Sequence, residues 1–343
     1  MQLNNPLVTV ILPCYNAMPY LPEALDSIIN QSYNNLEILC INDGSTDETA
    51  EVLEKFAQRD SRIRIIHNEK NLKLISTLNK GVELAKGEYI ARMDADDVSS
   101  LNRIEKLLSF SIKAKADIVS CSTKFISSSG RVVGKNVLKS KDFIEIVYGS
   151  YLYTPIAHAP LLVKSTILKD FKYSPSSDNL HVEDYELWTR LIRNNVKISN
   201  LDEVLYSIRI NNESVSRKNE SIQVENFVKC ANRHQSYFLN RSIPIEVTSI
   251  AVNRFNKLSY PRIKHGIKLI DEITVKYLFL KQLSTHETKN IKSIAAMQKA
   301  DISIQIVKKG SLVYKFLGVY IFFSCCFRNL LNKRFKKYIY SKF

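Results

Sequence analysis

Val8-Thr9-Val10-Ile11-Leu12-Pro13-Cys14-Tyr15-Asn16 reads as a short apolar strand that runs straight into a turn. A stretch of helical periodicity, Leu21–Ile29, follows it, and the pairing then repeats. Leu36–Ile41 is followed by Thr49–Phe56, Ile63–Ile66 by Leu74–Leu84, and Tyr89–Met93 by Leu101–Phe110, with Ile118–Cys121 as the last run. Strands of this length alternating with single helices imply βαβ crossovers, hence an α/β fold with a mainly parallel central sheet and helices on both faces. The unbroken apolar character of the runs suits strands covered on both sides. Ser45-Thr46-Asp47 and Ser99-Ser100 stand where N-caps of the following helices are expected.

Beyond Thr123 the alternation stops. Ser127-Ser128-Ser129-Gly130 predicts a hairpin turn, followed by a polar connection to about Asp142. Val224, Phe227, Val228, Ala231, Gln235 and Phe238 follow helical spacing, as do Ile263, Ile267, Ile270 and Tyr277. The expected organisation is therefore a catalytic domain over residues 1–215 and a helical extension over 216–343. Within the first, residues 1–122 form a donor half and 123–215 an acceptor half.

The chain of 343 residues is 45% hydrophobic and 24% charged, which excludes a disordered polymer. Its net charge of +15 points to a polyanionic partner: nucleic acid, an anionic membrane or a phosphorylated substrate. Arg328, Lys333, Arg334, Lys336, Lys337 and Lys342 crowd the C-terminal end without an acidic neighbour, which favours a terminal basic patch over a basic groove. Six cysteines lack C-x-x-C spacing and suit a reduced, cytoplasmic setting, and no secretory signal is read at the N-terminus.

Open parallel sheets bind ligands at the carboxyl ends of their strands, so the polar residues that follow each run are the first candidates. Asp94-Ala95-Asp96-Asp97 packs three carboxylates into four residues, an arrangement that a hard divalent cation relieves and that an acidic helix start also explains. Asp43 in Asn42-Asp43-Gly44-Ser45 can present a carboxylate to a base or ribose, or simply form the turn. Glu183 and Asp184 open a helical stretch that continues through Trp188; they serve either as helix-dipole partners or as a general base.

Taken in order, the Val8–Asn16 strand and turn, Asn42–Asp47, Ala85-Lys86-Gly87-Glu88-Tyr89-Ile90, Asp94–Asp97 and Glu183-Asp184-Tyr185-Glu186-Leu187-Trp188 resemble the family 2 inverting glycosyltransferases, over about residues 6–215. The resemblance implies a Rossmann-like GT-A fold, a nucleotide-diphosphate-sugar donor (a UDP-sugar) and a divalent metal, Mn2+ or Mg2+. It implies that Asp43 contacts the base and that Pro13, Tyr15, Asn16 and Asn71 line the nucleotide site. Asp94, Ala95 and Asp96 would form the D-x-D motif, in which Asp94 and Asp96 hold metal and diphosphate. Asp184, paired with Glu183, would be the base, with His158 and Trp188 on the acceptor side. Two departures stand out: Asn71-Leu72-Lys73 replaces an Asn-x-Gly common in the family, and Asn211 stands where relatives often carry His, which leaves the third metal ligand open.

At the C-terminal end, Leu312–Phe327 is apolar and aromatic but shorter than a spanning helix needs, and a lysine-rich tail follows. This suits a segment lying in an anionic membrane surface; a helix packed on the protein is the other reading. The expected function is extension of a surface polysaccharide, with a saccharide or lipid-linked saccharide acceptor, at the inner face of the plasma membrane. Two rivals were weighed. A sugar-1-phosphate nucleotidyltransferase would want a glycine-rich loop where Pro13-Cys14-Tyr15-Asn16 stands, and a basic nucleic-acid-binding protein would rest on charge alone, so no nucleic acid partner is expected.

Overall fold

The structure is a computed structural model that describes residues 5–136, 138–210, 219–326, 335, 338 and 339. The chain divides into two compact units, one of residues 1–138, 156–177 and 186–218, the other of residues 139–155, 178–185 and 219–343.

The first unit is built on one sheet. β1 (Val8–Cys14), β2 (Leu36–Asn42), β3 (Ile63–His67) and β4 (Tyr89–Arg92) alternate with α1 (Leu21–Ile29), α2 (Thr49–Ala57) and α3 (Lys73–Leu84). These four strands lie parallel in the order β3-β2-β1-β4. Every residue of β1 except Pro13 is buried, and all of β2 is, as expected for strands covered on both faces. Val8, Val10 and Leu12 share a core with Leu25 and Ile28 of α1 and with Leu107 and Leu108. On the other side, α3 packs on β1 and β2.

Past β4 the sheet becomes mixed. A two-residue β5 (Val98–Ser99) leads to α4 (Arg103–Ala114), then β6 (Ile118–Ile126) and β7 (Val132–Lys135) form a hairpin. Ser127 N–H donates to the Arg131 carbonyl at 2.8 Å, and Gly130 adopts φ +79°, so the turn falls where Ser127–Gly130 predicts it. β8 (Leu162–Lys164), followed by α6 (Ser165–Phe171), inserts antiparallel between β4 and β6. β9 (Ile198–Arg209) runs parallel to β6 and pairs β5. The sequence gives no periodic signal for a three-residue strand, so the insertion is a finding of the structure.

The cap expected at Ser99-Ser100 is corrected. α4 starts at Arg103 with no side-chain cap, and Ser99 lies in β5. Its hydroxyl instead accepts from the fully buried Arg103, Nε to Oγ at 2.8 Å, while Arg103 Nη1 donates to the Arg92 carbonyl at 3.0 Å. The serine satisfies a buried cation rather than a helix end.

The second unit is helical. It contains α5 (Phe143–Ser150), the start of α7 (Glu183–Arg193), α8 (Glu220–Leu239), α9 (Ile245–Ala251), α10 (Tyr260–Lys281), α11 (Thr285–Lys309) and α12 (Leu312–Cys326). Ser284 and Glu287 form a reciprocal capping box at the start of α11. Gln235 of α8 donates to the Tyr151 carbonyl at 2.7 Å, and Tyr151 stacks on His234 with ring centroids 4.5 Å apart.

Candidate functional site

The strand order 3-2-1-4 brings the carboxyl ends of β2, β1 and β4 side by side, and each is followed by one of the polar clusters. Asp43, directly after β2, is 4% exposed. Its Oδ1 accepts from Asn68 Nδ2 at 2.7 Å and from the Leu72 amide at 2.9 Å. Asn68 Oδ1 in turn accepts from Lys80 Nζ at 2.6 Å. One oxygen of Asp43 thus holds the two loops together. Gly44 makes this possible: φ is +71°, and a Cβ would come within 2.7 Å of the Lys70 carbonyl carbon. The β3–α3 loop, with Asn71, therefore rests on the turn. Asn71 Oδ1 accepts from the Lys73 amide at 2.9 Å, and Lys73 takes the left-handed φ of 70° that the family's glycine would adopt without strain.

Pro13 is the penultimate residue of β1, opposite Ile41. Tyr15 is half exposed, and Asn16, at φ 47°, ties two loops together: its amide donates to Ser45 Oγ at 3.0 Å and its Oδ1 accepts from the Thr46 amide at 2.8 Å. Asp47 accepts from the Met18 and Thr49 amides, both at 3.1 Å. Partial burial would raise its carboxyl pKa, but these hydrogen bonds and one from the Thr49 hydroxyl bring it below the ordinary value. The N-cap expected within Ser45–Asp47 is corrected as at Ser99-Ser100: α2 starts at Thr49 after Glu48 with no side-chain cap, and Asp47 instead ties the Met18 and Thr49 amides together.

The three carboxylates after β4 have separate tasks. Asp94 is gripped by Arg92, Nη1 to Oδ2 at 2.7 Å and Nη2 to Oδ1 at 2.5 Å, while its amide donates to Tyr206 Oη at 3.0 Å. Asp97 is 3% exposed and accepts from the Arg209 amide at 2.8 Å. Burial, then Asp94 and Asp96, pushes its carboxyl well above the usual range. Asp96 is half-buried, and desolvation followed by repulsion from Asp94 raises it to about 6. Ala95 between them is buried and keeps the turn close to the sheet.

Arg209, at the end of β9, holds this turn from behind. Nε donates to the Asp96 carbonyl at 2.8 Å, Nη1 to the Ser127 and Ser128 carbonyls at 3.1 Å, and Nη2 to Glu23 at 2.5 Å; the guanidinium lies 4.5 Å from the centre of the Tyr20 ring. Arg209 is spent on carbonyls and Glu23, and Arg92 on Asp94, so neither forms an ion pair with Asp96 among the described residues and their charges only partly offset its burial. A hard cation held by one or two carboxylates and by substrate phosphates fits that donor set. Among the described residues no group of three or more His, Cys, Asp or Glu is arranged to hold a metal by itself. Asn211 lies outside the described residues.

His158 Nε2 meets Tyr173 Oη at 2.8 Å, and its ring stands edge-on to Trp188 at 6.0 Å. Desolvation, then the Arg92 charge, pushes the imidazole pKa well below its ordinary value, so it is neutral and unsuited to proton transfer from a cationic form. Trp188 is fully buried, and its indole N–H finds no partner among the described residues. Glu183 and Asp184 fall in the second unit, at the start of α7, where Asp184 Oδ1 accepts from the Tyr185 amide at 2.7 Å. Sequence reading passed over Asn68, Lys80, Arg92, Tyr206 and Arg209. Arg92 had a usable signal: an arginine at the end of an apolar strand, two residues before an aspartate, needs a carboxylate.

The mixed α/β sheet, with polar clusters after the carboxyl ends of β1, β2 and β4, has the architecture of the GT-A glycosyltransferases. The family model Glycosyl transferase family 2 matches residues 9–158. An uncharacterized glycosyltransferase of Haemophilus influenzae is 35% identical over 249 residues, which cover 69% of this chain and 76% of the relative. The chain belongs to glycosyltransferase family 2, and it is an enzyme of sugar transfer. Solved structures agree on the fold. S. aureus TarS 1–349 in complex with UDP-GlcNAc matches with a TM-score of 0.56 at 16% identity, covering 94% of this chain and 92% of that one. This chain spans 54% of a longer TarS chain. The mannosyltransferase PcManGT from Pyrobaculum calidifontis, in complex with GDP-Man and Mn2+, matches with a TM-score of 0.51 at 16% identity, covering 96% and 88%.

Proposed function

We propose that this chain is an inverting, metal-dependent glycosyltransferase that moves a sugar from a UDP-linked donor to a saccharide or lipid-linked saccharide in the building of a cell-surface polysaccharide, at the cytoplasmic face of an anionic membrane. The observation that carries the reading is the Asp94–Asp97 turn, where Arg92 and Arg209 fix the frame and the Asp96 carboxylate is only partly offset by them. Asp43 Oδ2 supports recognition of the base or ribose, and TarS and PcManGT are described with bound nucleotide sugars. The polysaccharide role is supported by membership of the family.

Asp94 and Asp96 would hold Mn2+ or Mg2+, which when bound supplies counter-charge to the departing diphosphate. Asp184 takes the proton from the acceptor hydroxyl. The acceptor oxygen then bonds to the anomeric carbon from the face opposite the diphosphate, and the carbon–oxygen bond to the diphosphate breaks with its electron pair leaving on the nucleotide. The Tyr185 amide on Asp184 Oδ1 limits the rotation of that carboxylate. The test is Asp184→Asn, which keeps the side-chain shape and cannot take a proton. Transfer should be abolished while donor affinity stays within a few-fold, and transfer at the wild-type rate would remove Asp184 from the mechanism.

A further inference from the structure

α12 is apolar on two opposite faces, and only one of them is covered. Gly318 and Ile321 are buried against α11, with Leu317 partly so. Gly318 sets this contact, since a Cβ there would stand 2.7 Å from Val307 Cγ2 and 2.9 Å from the Ser303 carbonyl oxygen. The glycine lets the two helices approach closely and so fixes which side of α12 faces away. On that side Leu312, Phe316, Tyr320 and Phe323 follow one another at helical spacing and are 58–70% exposed, with Val313 at 76% beside them. No helix of the described residues is long and apolar enough to cross a membrane.

The charge around this stripe selects its occupant. Residues 302–343 contain nine Lys and Arg and not one Asp or Glu. Two positions near the C-terminal end are anchored: Phe335 and Tyr338 are buried, and the Tyr338 hydroxyl donates to Asp301 of α11 at 2.5 Å, where Lys139 also binds at 2.6 Å. The basic residues 333, 334, 336 and 337 therefore flank two anchored positions in sequence.

We infer that the Leu312–Phe316–Tyr320–Phe323 face of α12 is a lipid-docking surface that lies in the plane of an anionic bilayer, with the aromatic rings at the headgroup boundary and the basic end supplying the attraction. A helix whose exposed face is aromatic and whose flanks are basic binds such an interface through buried apolar area plus about 1 kcal/mol for each basic residue near the surface. A protein partner would have to supply a matching acidic, apolar groove; a bilayer presents both properties together. The inference rests on the membrane-associated reading above and adds the face that performs it.

The test uses the full chain and vesicles of phosphatidylcholine with and without phosphatidylglycerol, read by co-sedimentation. Wild type should pellet with the anionic vesicles, do so less as salt rises, and stay in the supernatant when the vesicles are neutral. Phe316→Ser combined with Tyr320→Ser and Phe323→Ser should lower binding by about tenfold or more with an unchanged thermal unfolding profile. If that combination does not fold, Phe316→Ser alone should still lose several-fold. Equal binding of wild type and variant, equal binding to neutral vesicles, or a dimer in sedimentation velocity that the substitutions abolish while vesicles are ignored would each overturn the assignment. Nucleotide release with a soluble acceptor is followed in parallel: it should be the same in both proteins, and its absence from both would count against the transferase reading and leave the lipid result standing.

Discussion

Asp43 shows how much a single side chain is asked to do. One oxygen closes the contact between two loops, accepting from Asn68 and the Leu72 amide, and the other is proposed above to meet the base or ribose. Asp43→Ala strands both donors in a buried place, so it should cost about 1–3 kcal/mol of stability and lower nucleotide affinity more than tenfold, checked by thermal unfolding and calorimetry. Asp96 is the complementary case, raised to about 6 by desolvation and by repulsion from Asp94 that the Arg92 and Arg209 charges only partly offset. Asp96→Ala should weaken nucleoside-diphosphate binding strongly with Mn2+ present and little without it, and EDTA should stop turnover; full turnover after exhaustive chelation would refute the metal. His158 tests the acid side of the account. The folded protein holds it neutral while the unfolded chain protonates normally, so stability should fall as pH drops below about 6.5. His158→Gln should flatten that loss between about pH 7 and 5.5, as seen in unfolding temperatures.

At the scale of elements, the parallel strands and their loops were legible because each apolar run stops sharply at a polar turn, and the ligand-facing residues of such sheets sit just there. The residues that hold the turns were not. Arg209 acts on Asp96 and Glu23 from far along the chain, and no local pattern reports a contact of that kind. β8 was missed for the opposite reason: three residues are too few to show a period. Gly44 is the element-level control. Gly44→Ala forces a Cβ against the Lys70 backbone at 2.7 Å and an unfavourable φ of +71°, so it should destabilise by about 1–3 kcal/mol and loosen the β3–α3 loop, with a matching loss of nucleotide binding. A variant as stable as wild type would mean that this loop does not rest on the turn.

Across the whole molecule, the sequence boundary at residue 215 and the observed division differ in kind. The helical unit also takes residues 139–155 and 178–185 from the middle of the chain, and no composition shift marks those segments. The cysteines are plainer at this scale: Cys14, Cys40, Cys121 and Cys230 are buried, and burial raises Cys40 to about 12 and Cys121 to about 11, which makes these two inert packing groups. The net charge of +15 was visible from the start, but its use depended on finding an exposed aromatic face on α12. The central claim, transfer of a sugar from a nucleotide-diphosphate donor, is tested most directly by measuring released nucleoside diphosphate across a panel of UDP- and GDP-sugars with a saccharide acceptor, with and without Mn2+. The account predicts acceptor-stimulated release of UDP from at least one donor, dependent on Mn2+ and absent from Asp184→Asn; release that ignores the acceptor, the metal and that substitution would contradict it.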